Sequence, residues 1–171
     1  MAKSVVARWA SGLVFDAISE SGGEVRAVGD SGAAGNRPTE LLLAALATCT
    51  AMDVIDICRK KRQIIDGYEV HVTGEQWASI PASFRAITVE HRFRGRDIDP
   101  KAVARAIELS ATRYCMIIEQ FARGDATVRS SYVIEGEDGT GEDSGGPVEV
   151  VTVGPGGAGL QAGSARSAGP T

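Results

Sequence analysis

The sequence predicts an α+β fold, with an antiparallel sheet and two principal helices. Short apolar stretches separated by glycine turns open the chain, and two long apolar segments and several alternating segments follow. The 171 residues, 43% of them hydrophobic and 23% charged, suit a single globular domain that can bury a core. A second globular domain is not expected.

The first elements are three short antiparallel strands within residues 5–28. Serine and glycine pairs at 11–12 and 21–23 interrupt the apolar stretches there, as tight turns between strands do. A glycine-rich loop over 29–38 follows and leads towards a helix.

A long helix is predicted from about Thr39 to Gln63. Pro38 suits its first turn, and Glu40 favours the positive end of the helix dipole. The first half is apolar on every side, which indicates a central helix or one shared with a partner subunit. The basic run 59–62 is predicted to be a solvent-facing helix end.

The remaining elements alternate between strands and a helix. Residues 68–77 and 84–93 show the period of two that is typical of half-buried strands. A second helix is predicted to start at a cap on Asp99 and to end before Gly124, and a last strand over 126–136 closes the sheet.

The composition changes after Glu135. Residues 136–171 hold 11 of the 21 glycines, and such a segment has little apolar surface to offset its ordering entropy. We therefore predict a domain over 1–135 and a flexible tail over 136–171, in which VEVVTV is a candidate short strand.

Charge and hydropathy limit the partners and the location. A net charge of -4 argues against general binding to nucleic acid or to an anionic membrane, since both require a positive field. The start of the chain lacks an apolar stretch long enough for a signal peptide, and the charge-free segment between Glu40 and Asp53 is shorter than a membrane span. A cytoplasmic protein is expected.

Three cysteines are the main chemical candidates. Cys49 and Cys58 lie nine residues apart on the predicted helix, on opposite faces and about 13 Å apart along its axis. A disulfide requires α carbons within about 7 Å, so these two are not partners within one chain. Cys115 lies on the second helix, where it could meet another cysteine, although spacing alone leaves this open. A buried, inert role is the alternative for each cysteine.

The histidines and glycines support no cofactor. His91 lies on the apolar face of its strand and is either a core residue with a satisfied hydrogen bond or a group lining a thiol pocket, whereas His71 is expected to face solvent. Two such histidines without a CxxC pair do not predict a metal site, and the glycine-rich segments match neither phosphate-binding fingerprint.

Two segments of the sequence resemble a known protein family. RPTELLLAALATCTAMDVI resembles the central-helix motif of the OsmC/Ohr family, small peroxide-reducing proteins, and AIELSATRYCMI resembles the second helix of that family, in which a cysteine follows a tyrosine. The likeness covers about residues 5–135. It implies the OsmC-like fold as an intertwined homodimer with both central helices in the middle.

The resemblance also implies a function. Cys49 would be the peroxidatic thiol of a thiol peroxidase, Cys115 the resolving thiol, and Cys58 a core residue without a counterpart. The expected substrates are hydroperoxides, organic ones in particular, because the apolar helix residues around Cys49 would form a hydrophobic pocket. An external dithiol would supply the electrons. The alternative is a small-molecule-binding or redox-sensing dimer without catalytic activity.

The residues that would activate Cys49 match the family pattern less closely than the cysteines do. The organic hydroperoxide resistance branch has an arginine in an early strand and a glutamate ten residues before the reactive cysteine. Here the early stretch WASGLVFDA has no arginine, and the glutamate, Glu40, is displaced by one position. Arg8, Arg26 and Arg37 are candidate substitutes, with Arg37 nearest the motif. The expected catalytic set is therefore Cys49, Cys115, Glu40 and Arg37.

Overall fold

The computed structural model describes residues 2–29, 32–124, 126–135, 144–148, 150–151 and 161–162. The chain divides into two compact units, Met1–Ala44 and Ala45–Thr171. The α+β fold class is confirmed, because strands and helices are both present and the strands form sheets of their own.

The first unit contains the three predicted strands. They are β1 (Val5–Ser11), β2 (Val14–Ser19) and β3 (Glu24–Val28), paired antiparallel in that order. Gly12 and Gly22 have positive φ, of 47° and 85°, as the tight turns beside these strands require. Every residue of β1 is exposed within the chain, although five of its seven residues are apolar.

The long helix α1 (Pro38–Lys60) ends slightly before the predicted Gln63, and Arg62 then adopts a left-handed conformation with φ 58°. A side-chain oxygen of Glu40 accepts a 2.7 Å hydrogen bond from the backbone N–H of Arg37 at the helix start. The buried residues recur every four positions, at Leu46, Thr50, Val54 and Cys58. Within one chain, the helix is therefore buried along a stripe. Burial of its other sides by a partner subunit, the second alternative that its composition indicated, stays a prediction.

By length and composition, α1 could also cross a membrane. The central helix of a globular protein passes the same test, and Asp53 and Asp56 interrupt the apolar sequence of α1.

The second unit is built on a four-stranded sheet. Its strands are β4 (Ile64–Gln76), β5 (Phe84–Arg96), β6 (Thr127–Glu135) and β7 (Ser144–Val148), adjacent in that order. The pairs β4–β5 and β6–β7 are antiparallel, but β5 and β6 are parallel. The prediction of a purely antiparallel sheet was wrong at this pair, because a helical connection returns the chain to the end of the sheet where β5 began.

The predicted tail falls mostly outside the described residues. Its described parts include β7, which pairs with β6, and the two-stranded pair β8 (Val150–Val151) and β9 (Gln161–Ala162). Strand β8 lies within the segment VEVVTV, the candidate strand. The division into a domain over 1–135 and a flexible tail stays a prediction.

The connection between β5 and β6 holds the second predicted helix. It consists of α2 (Pro100–Leu109), a π-helical turn (Ser110–Tyr114) and α3 (Met116–Ala122). The predicted cap is confirmed, since a side-chain oxygen of Asp99 accepts a 2.9 Å hydrogen bond from the N–H of Lys101. The prediction of one continuous helix was wrong, because Cys115 has an extended conformation with ψ 98°.

The core of the second unit lies between α1, α2 and the sheet. It brings together fully buried residues from all three, including Cys58, which is therefore the core residue that the sequence predicted. Its buried members are Val54, Cys58, Phe93, Val103, Ala106, Ile107 and Ile134.

Candidate functional site

Two sulfurs and a carboxylate meet in the second unit. The Sγ atoms of Cys49 and Cys115 and a carboxylate oxygen of Asp53 all lie within 4.8 Å of one another. Cys49 and Asp53 are one turn apart on α1, so both side chains leave the same face of that helix. All three cysteines of the chain are free thiols.

The break after α2 places Cys115 in this group. A regular helix would continue through this position, but the π-helical turn ends in a 2.8 Å hydrogen bond from the Cys115 N–H to the Ser110 carbonyl, five residues back. Cys115 then occupies the position before the first residue of α3. The two residues that approach α1 here, Ser110 and Cys115, therefore lie at the two ends of this widened turn.

The two thiols differ in exposure. Cys49 is half-buried, whereas Cys115 is only 3% exposed. Burial raises the pKa of Cys115 to about 12, and the neighbouring Cys49 also raises it, while backbone N–H groups at the start of α3 oppose the shift. Cys49 is thus the sulfur that an external reagent can reach first.

Asp53 belongs to a short hydrogen-bonded chain. The Ser110 hydroxyl donates to Oδ2 of Asp53 at 2.9 Å, and the hydroxyls of Thr50 and Ser110 lie 3.1 Å apart. Because Ser110 donates its hydrogen to Asp53, Thr50 donates to Ser110. Burial raises the pKa of Asp53; the hydrogen bond from Ser110 opposes this shift, and the charge of Asp56 adds to it.

Cys58 lies apart from this chemistry. It is fully buried in the core, and burial raises its pKa to about 11, only partly offset by Lys61. A buried thiol with a raised pKa is a poor nucleophile, in keeping with a structural role.

The other predicted site residues lie in the first unit. The Glu40 carboxylate accepts from the backbone of Arg37 within the start of α1, and Arg26 pairs with Asp16 at 2.7 Å across β2 and β3. Arg8 lies on the exposed strand β1. The expectation that Glu40 and one of these arginines activate Cys49 stays a prediction.

His91 is a core histidine with one of its two nitrogens paired. Its side chain is fully buried on β5, and Nδ1 lies 2.7 Å from the hydroxyl of Tyr68. Among the described residues, Nε2 has no hydrogen-bond partner. Burial lowers the pKa of His91 to about 4, so the ring is neutral near pH 7. His71 is exposed as predicted and lies 2.9 Å from Glu69.

Sequence reasoning missed Asp53, Thr50 and Ser110. The four-residue step from Cys49 to Asp53 was a usable signal, because it places two reactive side chains on one helix face. Ser110 offered no such signal, since its approach to Asp53 depends on how α2 packs against α1. For the same reason, no metal site was predicted from the sequence, although three potential ligand atoms lie close together here.

The chain is similar to known proteins in sequence and in fold. The family model described as OsmC-like protein matches residues 29–130. The protein YhfA of Escherichia coli K12 is 38% identical over 110 residues, which cover 64% of this chain and 82% of YhfA.

Solved structures share the fold. A hypothetical protein from Aquifex aeolicus superposes with a TM-score of 0.71 and 24% identity, covering 81% of this chain and 99% of that one. An organic hydroperoxide resistance protein OsmC from Legionella pneumophila gives a TM-score of 0.60 at 11% identity, covering 77% and 96%. At these identities the likeness concerns the fold alone.

Proposed function

Because this chain belongs to the OsmC-like protein family, we propose that it is a thiol-dependent peroxidase that reduces hydroperoxides, organic ones in particular. The observation that carries the proposal is the approach of the Cys49 and Cys115 sulfurs to within 4.8 Å, from positions far apart in sequence. The structural relative from Legionella pneumophila bears the name of an organic hydroperoxide resistance protein, which agrees with this reaction.

In the proposed reaction, Cys49 attacks first because it is the more exposed sulfur. Its thiolate attacks one oxygen of the O–O bond, the other oxygen leaves with the organic group and takes up a proton as an alcohol, and Cys49 becomes a sulfenic acid. Cys115 then attacks the Cys49 sulfur, so that an S–S bond forms and the sulfenic oxygen leaves as water. An external dithiol reduces the disulfide and returns both thiols.

The second step requires Cys115 to lose a proton. Its burial and raised pKa make the free thiolate rare near pH 7, so a nearby proton acceptor is needed. The Asp53 carboxylate is within 4.8 Å of the sulfur and has a raised pKa, which makes it a better base than an ordinary aspartate. We assign Asp53 the role of accepting this proton. Glu40 and Arg37 remain the proposed groups that orient or activate Cys49.

We propose a homodimer as the working form. Apolar side chains remain exposed on both units within one chain, including Trp9 at 70%, Leu42 at 52% and Met52 at 65%. A second copy of the chain that covers α1 would bury Leu42 and Met52, which agrees with the apolar composition of this helix. Sedimentation or light scattering at micromolar concentration tests this, and a monomer at those concentrations would contradict it. The cytoplasmic location stays a prediction.

One observation favours a redox-sensing dimer as a second candidate. The charged group beside the sulfurs in the described second unit is a carboxylate, and a nearby negative charge disfavours a thiolate. A sensor would oxidise once and report the change, whereas a peroxidase must turn over.

Turnover with a dithiol donor therefore tests the proposal. The reduced protein is mixed with cumene hydroperoxide or hydrogen peroxide, and peroxide loss is followed in the wild type and in Cys49→Ser, Cys115→Ser and Cys58→Ser. We expect Cys49→Ser to abolish turnover, Cys115→Ser to stop the protein at a trapped sulfenic acid, and Cys58→Ser to retain activity. Consumption no faster than with free dithiol would refute catalysis. A single stoichiometric oxidation to the disulfide would then favour the sensor.

A further inference from the structure

We propose that Cys49, Cys115 and Asp53 form a binding site for a thiophilic divalent cation, with Zn²⁺ as the ion that this ligand set suits best. Cys49 and Asp53 lie on α1 and Cys115 lies just before α3, and together they bring two sulfurs and one carboxylate oxygen within 4.8 Å of one another. The site shares both sulfurs with the proposed peroxidase, but ion binding requires no turnover.

The spacing of the three atoms is compatible with a tetrahedral site. Zinc binds cysteine sulfur at about 2.3 Å and carboxylate oxygen at about 2.0–2.2 Å, so two sulfurs and one oxygen on a tetrahedron lie about 3.5–3.8 Å apart. The three atoms here lie within 4.8 Å of one another, and a contraction of about 1 Å by side-chain rotation would complete the arrangement. Three protein ligands leave a fourth position open to solvent.

A second set of contacts fixes the carboxylate. Ser110 donates a 2.9 Å hydrogen bond to Oδ2 of Asp53 and is itself held by Thr50 at 3.1 Å. Carboxylates that bind metals are usually held in this way by neighbouring hydrogen bonds, which leave the other oxygen free for the ion. The half-buried Cys49 provides a path from solvent.

Electrostatics favours a cation at this point. Two thiolates and a carboxylate would repel one another strongly in a partly buried site, and a divalent ion offsets that repulsion. Binding of the ion as a thiolate complex would therefore release the thiol protons.

Metal and peroxide would compete for the same sulfurs. Oxidation of the bound pair by a hydroperoxide forms one S–S bond, breaks one O–O bond and consumes two protons, giving an alcohol, water and the free ion. The disulfide offers no thiolate to the metal, so the oxidised protein would lose its affinity. Zinc would thus protect the reduced pair and inhibit its oxidation.

Direct binding of Zn²⁺ to the fully reduced protein tests the site. Titration against a chromophoric chelator under anaerobic conditions is expected to give one ion per chain, and Co²⁺ is expected to give a sulfur-to-cobalt charge-transfer band. Asp53→Asn should weaken Zn²⁺ binding by about tenfold or more, and Ser110→Ala by about tenfold. Cys49→Ser and Cys115→Ser should each remove the cobalt band or reduce it by about half.

Matched controls separate this site from adventitious binding. Cys58→Ser, at the buried third cysteine, should leave the Zn²⁺ affinity unchanged. Asp56→Asn removes an exposed charge one turn from Asp53 but no ligand, so it should weaken Zn²⁺ binding by only about twofold. Unfolding curves identify any variant that fails to fold, and Asp53→Asn keeps the shape and an oxygen acceptor for Ser110. Equal affinity in wild type and Asp53→Asn, or a cobalt spectrum unaffected by either cysteine variant, would overturn the proposal.

The oxidised protein provides a further test that does not depend on peroxidase activity. Diamide accepts the two electrons and two protons of the Cys49 and Cys115 thiols, so it forms their disulfide without a hydroperoxide. Zn²⁺ binding should fall at least a hundredfold after this treatment and return with a dithiol once excess reductant is removed. Unchanged affinity in the disulfide form would refute the site, whereas absent turnover with intact zinc binding would refute only the peroxidase.

Discussion

The buried imidazole of His91 should make the stability of this protein depend on pH. Its folded-state pKa is about 4, because burial penalises the charged ring, while an unfolded histidine titrates near 6.5. Between these values the unfolded chain binds a proton that the folded chain excludes. The unfolding free energy is therefore unaffected by His91 above about pH 7 and falls as the pH drops through 6.5. Below about pH 4 this residue causes no further fall.

The size of the effect follows from the two pKa values. At about pH 5, excluding this proton costs about 2 kcal/mol of unfolding free energy relative to about pH 7.5. The Tyr68 hydroxyl faces Nδ1 and can act as donor or acceptor, so it does not force a charge onto the ring.

Urea unfolding at about pH 7.5 and about pH 5, at fixed protein concentration, measures this change in the unfolding free energy. Between the two pH values, the unfolding free energy of His91→Gln should fall by about 2 kcal/mol less than that of the wild type. This difference does not depend on how stable the variant is at the higher pH. His71→Gln is the matched control, because it removes an exposed histidine. If His91→Gln and the wild type lose the same free energy, or if an NMR titration places the His91 pKa near 6.5, the reasoning is refuted.

Three other properties are testable. Iodoacetamide should label Cys49 in the reduced native protein and spare Cys58 until unfolding, which peptide mass mapping would show; equal labelling rates would contradict the assigned burial. Asp99→Ala should lower the unfolding free energy by about 1 kcal/mol through loss of the α2 cap, and no change in urea midpoint would contradict it. Gly95→Ala should cost about 1–3 kcal/mol in the same assay, since its new methyl would meet the Ile64 carbonyl oxygen, and a stable variant would show that the strands can separate there.

The order of elements could be predicted because its signals are local. Alternation identified β4 and β5, glycine turns separated the first three strands, and Asp99 marked a helix start. The parallel pairing of β5 with β6 could not be obtained in this way, since strand direction depends on the path of the whole connection between them.

In the candidate site too, local features could be predicted from the sequence and features that depend on packing could not. The separation of Cys49 from Cys58 followed from helix geometry alone, whereas the approach of Cys49 to Cys115 rests on packing between segments far apart in sequence. The family resemblance predicted that pair, which spacing alone did not. Asp53 needed both kinds of information, because its spacing from Cys49 is local but its hydrogen bond from Ser110 is not.

The π-helical turn between Ser110 and Tyr114 makes the site sensitive to chain length. Each residue in a helix advances the side-chain direction by about 100°, so deleting one residue inside the turn would rotate Cys115 relative to Ser110 by about that angle. Substitutions that keep five residues in the turn would leave the direction of Cys115 relative to Ser110 unchanged. Selection on this segment would therefore act more strongly against single-residue insertions and deletions than against changes of residue type, a constraint that homologous sequences of differing length would expose.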